Sequence, residues 1–125
     1  PHSTAVFSAL RAAFPNAPGI HFGVGCDHLL ELMNAAGPSV LGLDWRTPIA
    51  QARRRMGENL VVQGNLDPGA LFASPAEIRA RVADILERAG RVGHIFNLGH
   101  GVLPETNPEH VRAMVNAVKE LSAAV

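Results

Sequence analysis

Two hydrophobic patterns alternate along the whole chain: apolar residues spaced three or four apart, and short continuous apolar runs bounded by glycine or polar residues. The first pattern predicts helices and the second predicts strands. Val6, Leu10 and Phe14 predict a helix over 5–14, stopped by Pro15-Asn16-Ala17-Pro18-Gly19. A strand over 20–24 follows, then a helix from Asp27 as N-cap through Leu29, Leu30, Leu32 and Met33 to Gly37-Pro38. The next strand is 40–45. Thr47-Pro48 opens a third helix in cap-then-Pro order and Met56-Gly57 closes it, ahead of a strand over 60–63. Ser74-Pro75-Ala76-Glu77 is a capping box opening a helix with the stripe Ile78, Val82, Ile85 and Leu86, and Gly90 ends it. The last strand is 94–98. Asn107-Pro108-Glu109 starts a final helix carrying Val111, Met114, Val115, Val118 and Leu121, which is expected to fray at 123–125.

The order αβαβαβαβα predicts an α/β fold with a parallel sheet and right-handed crossovers. Periodicity alone fits either a small doubly wound sheet or half of an eight-stranded barrel. Strand order in space separates them, because a reversal marks the doubly wound case and consecutive neighbours mark a barrel segment.

Composition narrows the function classes. The 125 residues suit one domain on a scale of roughly 100 to 200 residues per domain, and 47% apolar content is enough for a core. Eleven basic and eleven acidic residues leave a formal net charge of zero, which excludes the basic footprint of a nucleic-acid or anionic-membrane binder. The single cysteine, Cys26, rules out an internal disulfide, and no apolar run approaches membrane-spanning length. The chain therefore reads as soluble and cytoplasmic. It starts as Pro1-His2-Ser3 directly on a helical pattern, which reads as a cut end.

The strongest candidate for chemistry is His100 in Asn97-Leu98-Gly99-His100-Gly101, an imidazole between two glycines where an apolar strand stops. Parallel α/β sheets put their sites at that end of the strands, and flanking glycines let the backbone approach a ligand. Other candidates have simpler readings. Asp44 is expected to pair with a nearby arginine or accept backbone N–H groups, and Asn65 and Asp67 to fix the turn before Pro68. Arg46 and the run Arg53-Arg54-Arg55 could attract a polyacid, but a solvated helix face is the simpler expectation for the run. Met33 and Met114 fit helix stripes. His21, Cys26, Asp27 and His28 cluster in sequence, and zinc takes such ligands. A phosphate loop is absent, because Gly23-x-Gly25 lacks its third glycine and no Gly-Lys-Ser/Thr follows.

Three longer runs then carry a family signal: Gly42-Leu43-Asp44-Trp45, Gln63-Gly64-Asn65-Leu66-Asp67-Pro68, and His94-Ile95-Phe96-Asn97-Leu98-Gly99-His100-Gly101, with Pro104, Glu105 and Pro108-Glu109-His110-Val111 after them. In this order and spacing the chain resembles the carboxy-terminal part of uroporphyrinogen decarboxylase. The resemblance implies the last four β/α units of a (β/α)8 TIM barrel. It also implies an enzyme that removes the carboxyl groups of the four acetate arms of uroporphyrinogen III, giving coproporphyrinogen III in haem synthesis without metal or organic cofactor. The family's catalytic aspartate lies in the amino-terminal half, so no catalytic residue is expected in this chain, which alone should be inactive. His100 is the one residue carried over, as a substrate-binding contact. The zinc-dependent corrinoid methyltransferases of the same superfamily look similar here, but show His-x-Cys where this chain has His21-Phe22-Gly23, so no metal site is expected. A stand-alone flavodoxin-like module is the non-enzyme alternative.

Half a barrel would leave strand edges unpaired and inward apolar side chains without an opposing wall. Self-association is the expected remedy, and the resemblance implies a homodimeric parent.

Overall fold

A computed structural model describes residues 2–123; Pro1, with the expected cut end, and the expected fraying at 124–125 lie outside the described residues. Four strands, β1 (Ile20–His21), β2 (Val40–Gly42), β3 (Val62–Gln63) and β4 (His94–Ile95), form one parallel sheet in the order β1-β2-β3-β4. The register aligns His21 with Leu41, Leu41 with Val62 and Val62 with His94. Neighbours in space are neighbours in sequence. That order removes the doubly wound, flavodoxin-like alternative, which requires a reversal.

The strands are shorter than the apolar runs because backbone pairing stops where the chain bends into the loops, a boundary that side-chain hydrophobicity does not encode. Past β3 and β4 the pairing resumes only as an isolated bridge between Leu66 and Leu98.

Five helices accompany the sheet: α1 (His2–Ala13), α2 (Leu30–Ala35), α3 (Ile49–Met56), α4 (Pro75–Ala89) and α5 (Pro108–Ala123). Leu41 and Leu43 from β2 and its extension, with Val62 from β3, pack against Leu30, Met33, Ile49 and Ala52. Leu66, Phe96 and Leu98 pack against Ile78, Val82, Met114 and Ala117 of α4 and α5. Because side chains alternate along a strand, these contacts draw on one face of the sheet. The other face carries Ile20, Phe22, Val61 and Ile95, all exposed. One side has a packed core, whereas on the other only Val40 and Gly42 of the inner strand β2 are buried.

Local signals explain the helix starts and stops, with some corrections. The expected capping box forms: Glu77 N donates to Ser74 Oγ at 3.4 Å and Ser74 N donates to Glu77 Oε2 at 3.0 Å. Hydrogen bonding from Ser74 also holds the Glu77 carboxyl below its usual range. Asn107 Oδ1 accepts Glu109 N at 2.9 Å at the start of α5. Asp27 does not cap the second helix. It lies inside a 3-10 turn, Asp27–Leu29, that precedes α2, and its carboxylate is taken by Arg55 at 2.9 Å. Likewise Pro48 rather than Thr47 occupies the N-cap of α3, since Thr47 Oγ1 donates to Asp27 Oδ1 at 3.3 Å.

The arginine run is corrected too. Arg54 is exposed, but Arg55 bridges Asp27 and Glu31, and Arg53 is buried. Its guanidinium donates to the carbonyl of Ala89, the last residue of α4, where helix carbonyls lack intrahelical partners, and to those of Val92 and Gly93 in the loop to β4. A cation on that spot satisfies the C-terminus of a helix that the run itself gave no means to foresee.

The first helix also departs from expectation. The Val6, Leu10 and Phe14 stripe stays exposed, and α1 is instead held by Phe7, whose ring lies 5.2 Å from that of His21, and by Arg11 Nη2 donating to Gly37 O at 2.5 Å.

Candidate functional site at the carboxyl ends of the strands

Each strand leads into a loop at the same end of the sheet, and polar side chains fasten the loops to one another. Asp44, just past β2, is 3% exposed, and its Oδ2 accepts Gly25 N at 2.5 Å from the loop after β1. Its Oδ1 accepts Arg46 N at 2.8 Å, and Arg46 Nη1 lies 3.6 Å from Oδ2. The expectation that Asp44 accepts backbone N–H groups and meets an arginine holds. Its carboxylate is a brace for two loops.

Asn65 performs the same task after β3. Its Nδ2 donates to Asp44 O at 2.7 Å and to Thr47 O at 2.5 Å, with the side chain buried. The Gly64-Asn65 peptide is cis, and a Cβ on Gly64 would press on Leu43 O at 2.7 Å. Asp67 Oδ1 accepts Gly69 N at 2.8 Å and so fixes the turn at Pro68, as its position predicts.

The fourth loop bears His100. Leu66 N donates to Asn97 O at 3.1 Å and Gly99 N donates to Leu66 O at 2.7 Å, extending the β3 to β4 pairing up to the histidine. Gly99 lies against the Trp45 backbone so closely that a Cβ there would sit 2.7 Å from Trp45 Cα. Only glycine lets this loop close on the loop after β2. The consequence is that His100, itself exposed, reaches Trp45: the two rings meet edge-on with centroids 5.8 Å apart.

Trp45 also carries Arg46. The guanidinium carbon stands 3.7 Å from the indole centroid, a cation–π contact, and the Arg46 side chain is 57% exposed. The result is an exposed group of two nitrogen-rich side chains on one aromatic ring, above a buried carboxylate and a buried amide. Such a group can take an acid or a hydrogen-bond acceptor. The sequence singled out His100 and mentioned Arg46, but passed over Trp45; its place at a strand end, between an acid and a base, is the signal that could have found it.

The remaining candidates do not converge. His21 Nδ1 pairs with Met33 O at 3.0 Å, Cys26 Sγ with Val24 O at 3.4 Å, and Asp27 with Arg55. Among the described residues no three His, Cys, Asp or Glu side chains group as metal ligands. Met33 and Met114 are buried in the core. A cavity of about 200 Å³ lies between this loop end and α4, lined by Trp45, Asn65, Asp67, Arg81 and Arg88 among others. His94 is half-buried; burial lowers its pKa, Arg53 adds to that, and Gly64 O, 2.6 Å from Nε2, opposes it. Among the described residues no helix is long and apolar enough to cross a membrane.

Comparison with known proteins agrees with this geometry. The family model for uroporphyrinogen decarboxylase matches residues 1–121. A uroporphyrinogen decarboxylase of Rhodococcus jostii is 49% identical over 97% of this chain and 35% of its own length. One from Methylococcus capsulatus is 56% identical over 86% of the chain and 31% of its own, and one from Salinispora tropica is 52% identical over 98% and 33%. The chain spans about a third of the length of the curated relatives it matches. It belongs to the uroporphyrinogen decarboxylase family.

Proposed function

We propose that this chain is the carboxy-terminal part of a single-domain uroporphyrinogen decarboxylase and supplies the last four β/α units of its (β/α)8 barrel. The observation that carries the reading is the sheet itself: four parallel strands in consecutive order, packed on one face and largely exposed on the other. In a closed barrel Ile20, Phe22, Val61 and Ile95 would meet the opposite wall, and the loops bearing Trp45, Asn65 and His100 would rim its mouth.

The parent enzyme removes four acetate carboxyl groups from uroporphyrinogen III to give coproporphyrinogen III, without metal or organic cofactor. A proton is added at the pyrrole carbon bearing the acetate arm, the ring becomes cationic, the C–C electrons released with CO2 neutralise it as an exocyclic methylene, and a proton taken up at that methylene with loss of the ring proton restores the pyrrole with a methyl group. The carboxylate that steadies the cation lies upstream of this chain, which is inactive alone. Asp44 instead is 3% exposed and braces the loops through Gly25 N and Arg46 N. His100 binds the substrate at the mouth. The parent is a cytoplasmic homodimer, and the chain alone self-associates through its exposed face and open edges.

In the full-length parent, His100→Ala is expected to lower kcat/KM for uroporphyrinogen with the melting temperature unchanged; normal kinetics at every decarboxylation step would remove His100 from the site. Turnover by the 125-residue chain alone would refute the upstream carboxylate. A compact 13.2 kDa monomer on size-exclusion chromatography would refute self-association.

A further inference from the structure

We infer that Arg46, seated over the Trp45 indole, is a carboxylate-binding residue that favours the most highly carboxylated substrates, and this rests on the porphyrinogen reading above. Three observations carry it. The guanidinium carbon stands 3.7 Å from the indole centroid, a cation–π contact that engages the aromatic ring without using any N–H donor in a hydrogen bond. Its one acidic neighbour among the described residues, Asp44, is 3.6 Å away, beyond hydrogen-bond distance, so the guanidinium N–H donors are not taken up by it. His100 lies against the same indole with ring centroids 5.8 Å apart, so the two side chains are offered together at one end of the sheet.

The arrangement differs from a solvated surface arginine in what it costs to use. The backbone carrying Trp45 and Arg46 is held by the close approach of Gly99 and by Asp44 accepting the Arg46 amide, and the indole contact holds the guanidinium beside His100 before a ligand arrives. A preplaced planar fork matches a carboxylate in two parallel hydrogen bonds with little further ordering. Each turnover removes one carboxylate from the substrate. Arg46 therefore matters most for the eight-carboxylate starting compound and least for the later intermediates.

The test uses full-length parent enzyme as wild type, Arg46→Gln and Arg46→Lys. Arg46→Gln is expected to raise KM for the octacarboxylate about tenfold, by loss of a charge-assisted bidentate pair, and to raise it less for the pentacarboxylate. Arg46→Lys keeps the charge but not the fork and should fall between. An equal KM change for both substrates, or none for the first, overturns the inference. Calorimetric titration with benzenehexacarboxylate separates this from the identity of the reaction. Binding to wild type weakened at least fivefold in Arg46→Gln supports the cation site even if wild type fails to decarboxylate uroporphyrinogen, which would sink only the proposed reaction. Equal binding by both proteins, or none by wild type, sinks the cation site.

Discussion

The two ends of the chain contain helices of similar design and opposite fate. In α4, Ile78, Val82 and Ala89 are fully buried, and in α5 Met114 and Ala117 are buried against Ile78 and Val82. In α1 no residue is buried, and Val6 and Leu10 stand 56% and 50% exposed although they recur at the same helical spacing. Amphipathicity states that a face should be covered. It does not say by what. For α4 the cover is α5 and the extensions of β3 and β4, all within this chain, whereas the cover for α1 and for the exposed face of the sheet would come from the rest of the proposed barrel.

The comparison can be tested by substitution, starting with the largest effect. Ile78→Ala opens a cavity in a closed core and should cost about 3 kcal/mol in urea denaturation; a loss as small as that of an α1 surface variant would erase the contrast between the two ends. Arg53→Ala removes a buried guanidinium that donates to Ala89 O at the end of α4 and to the following loop, and should cost about 2 kcal/mol, seen also as faster amide exchange around Gly90 to Gly93. Ser74→Ala removes the capping box, with an expected loss of about 1 kcal/mol and no change in helix packing. Val6→Ala should change stability by less than about 0.5 kcal/mol in this chain and by more in the full-length parent. An equal effect in both would mean that α1 stays uncovered in the whole enzyme.

The smallest effect is pH-dependent and comes from His94. Burial puts its folded pKa below the ordinary 6.5, so the unfolded chain takes up the proton first. Its contribution is therefore complete above about pH 6.5 and is lost as pH falls through the folded value. Melting temperature followed from pH 7.5 to 5 should decline less in His94→Gln than in wild type.

Much of this was legible from local patterns. The Ser74 to Glu77 box, the Gly57 and Gly90 stops and the Asp67 turn depend on residues within one or two helical turns, so the sequence displays cause and effect side by side. Asp44 and His100 were placed correctly at strand ends for the same reason. The errors share a different character. Asp27, Thr47 and Arg53 each bonded to a residue at least 20 positions away rather than to its own element, and Trp45 drew meaning only from Arg46 above it and Gly99 behind it.

Sequence by itself therefore determined the alternation of helix and strand, the Ser74 capping box and the glycine stops, the family and the histidine loop, because these follow from spacing and from short-range hydrogen bonding. Tertiary structure alone decided the consecutive strand order, which sheet face is covered, the burial of Arg53 and the stacking of Arg46 and His100 on one indole. Those depend on which distant segments arrive at the same point, and a pairing between residues 45 and 100 leaves no periodic trace in either segment.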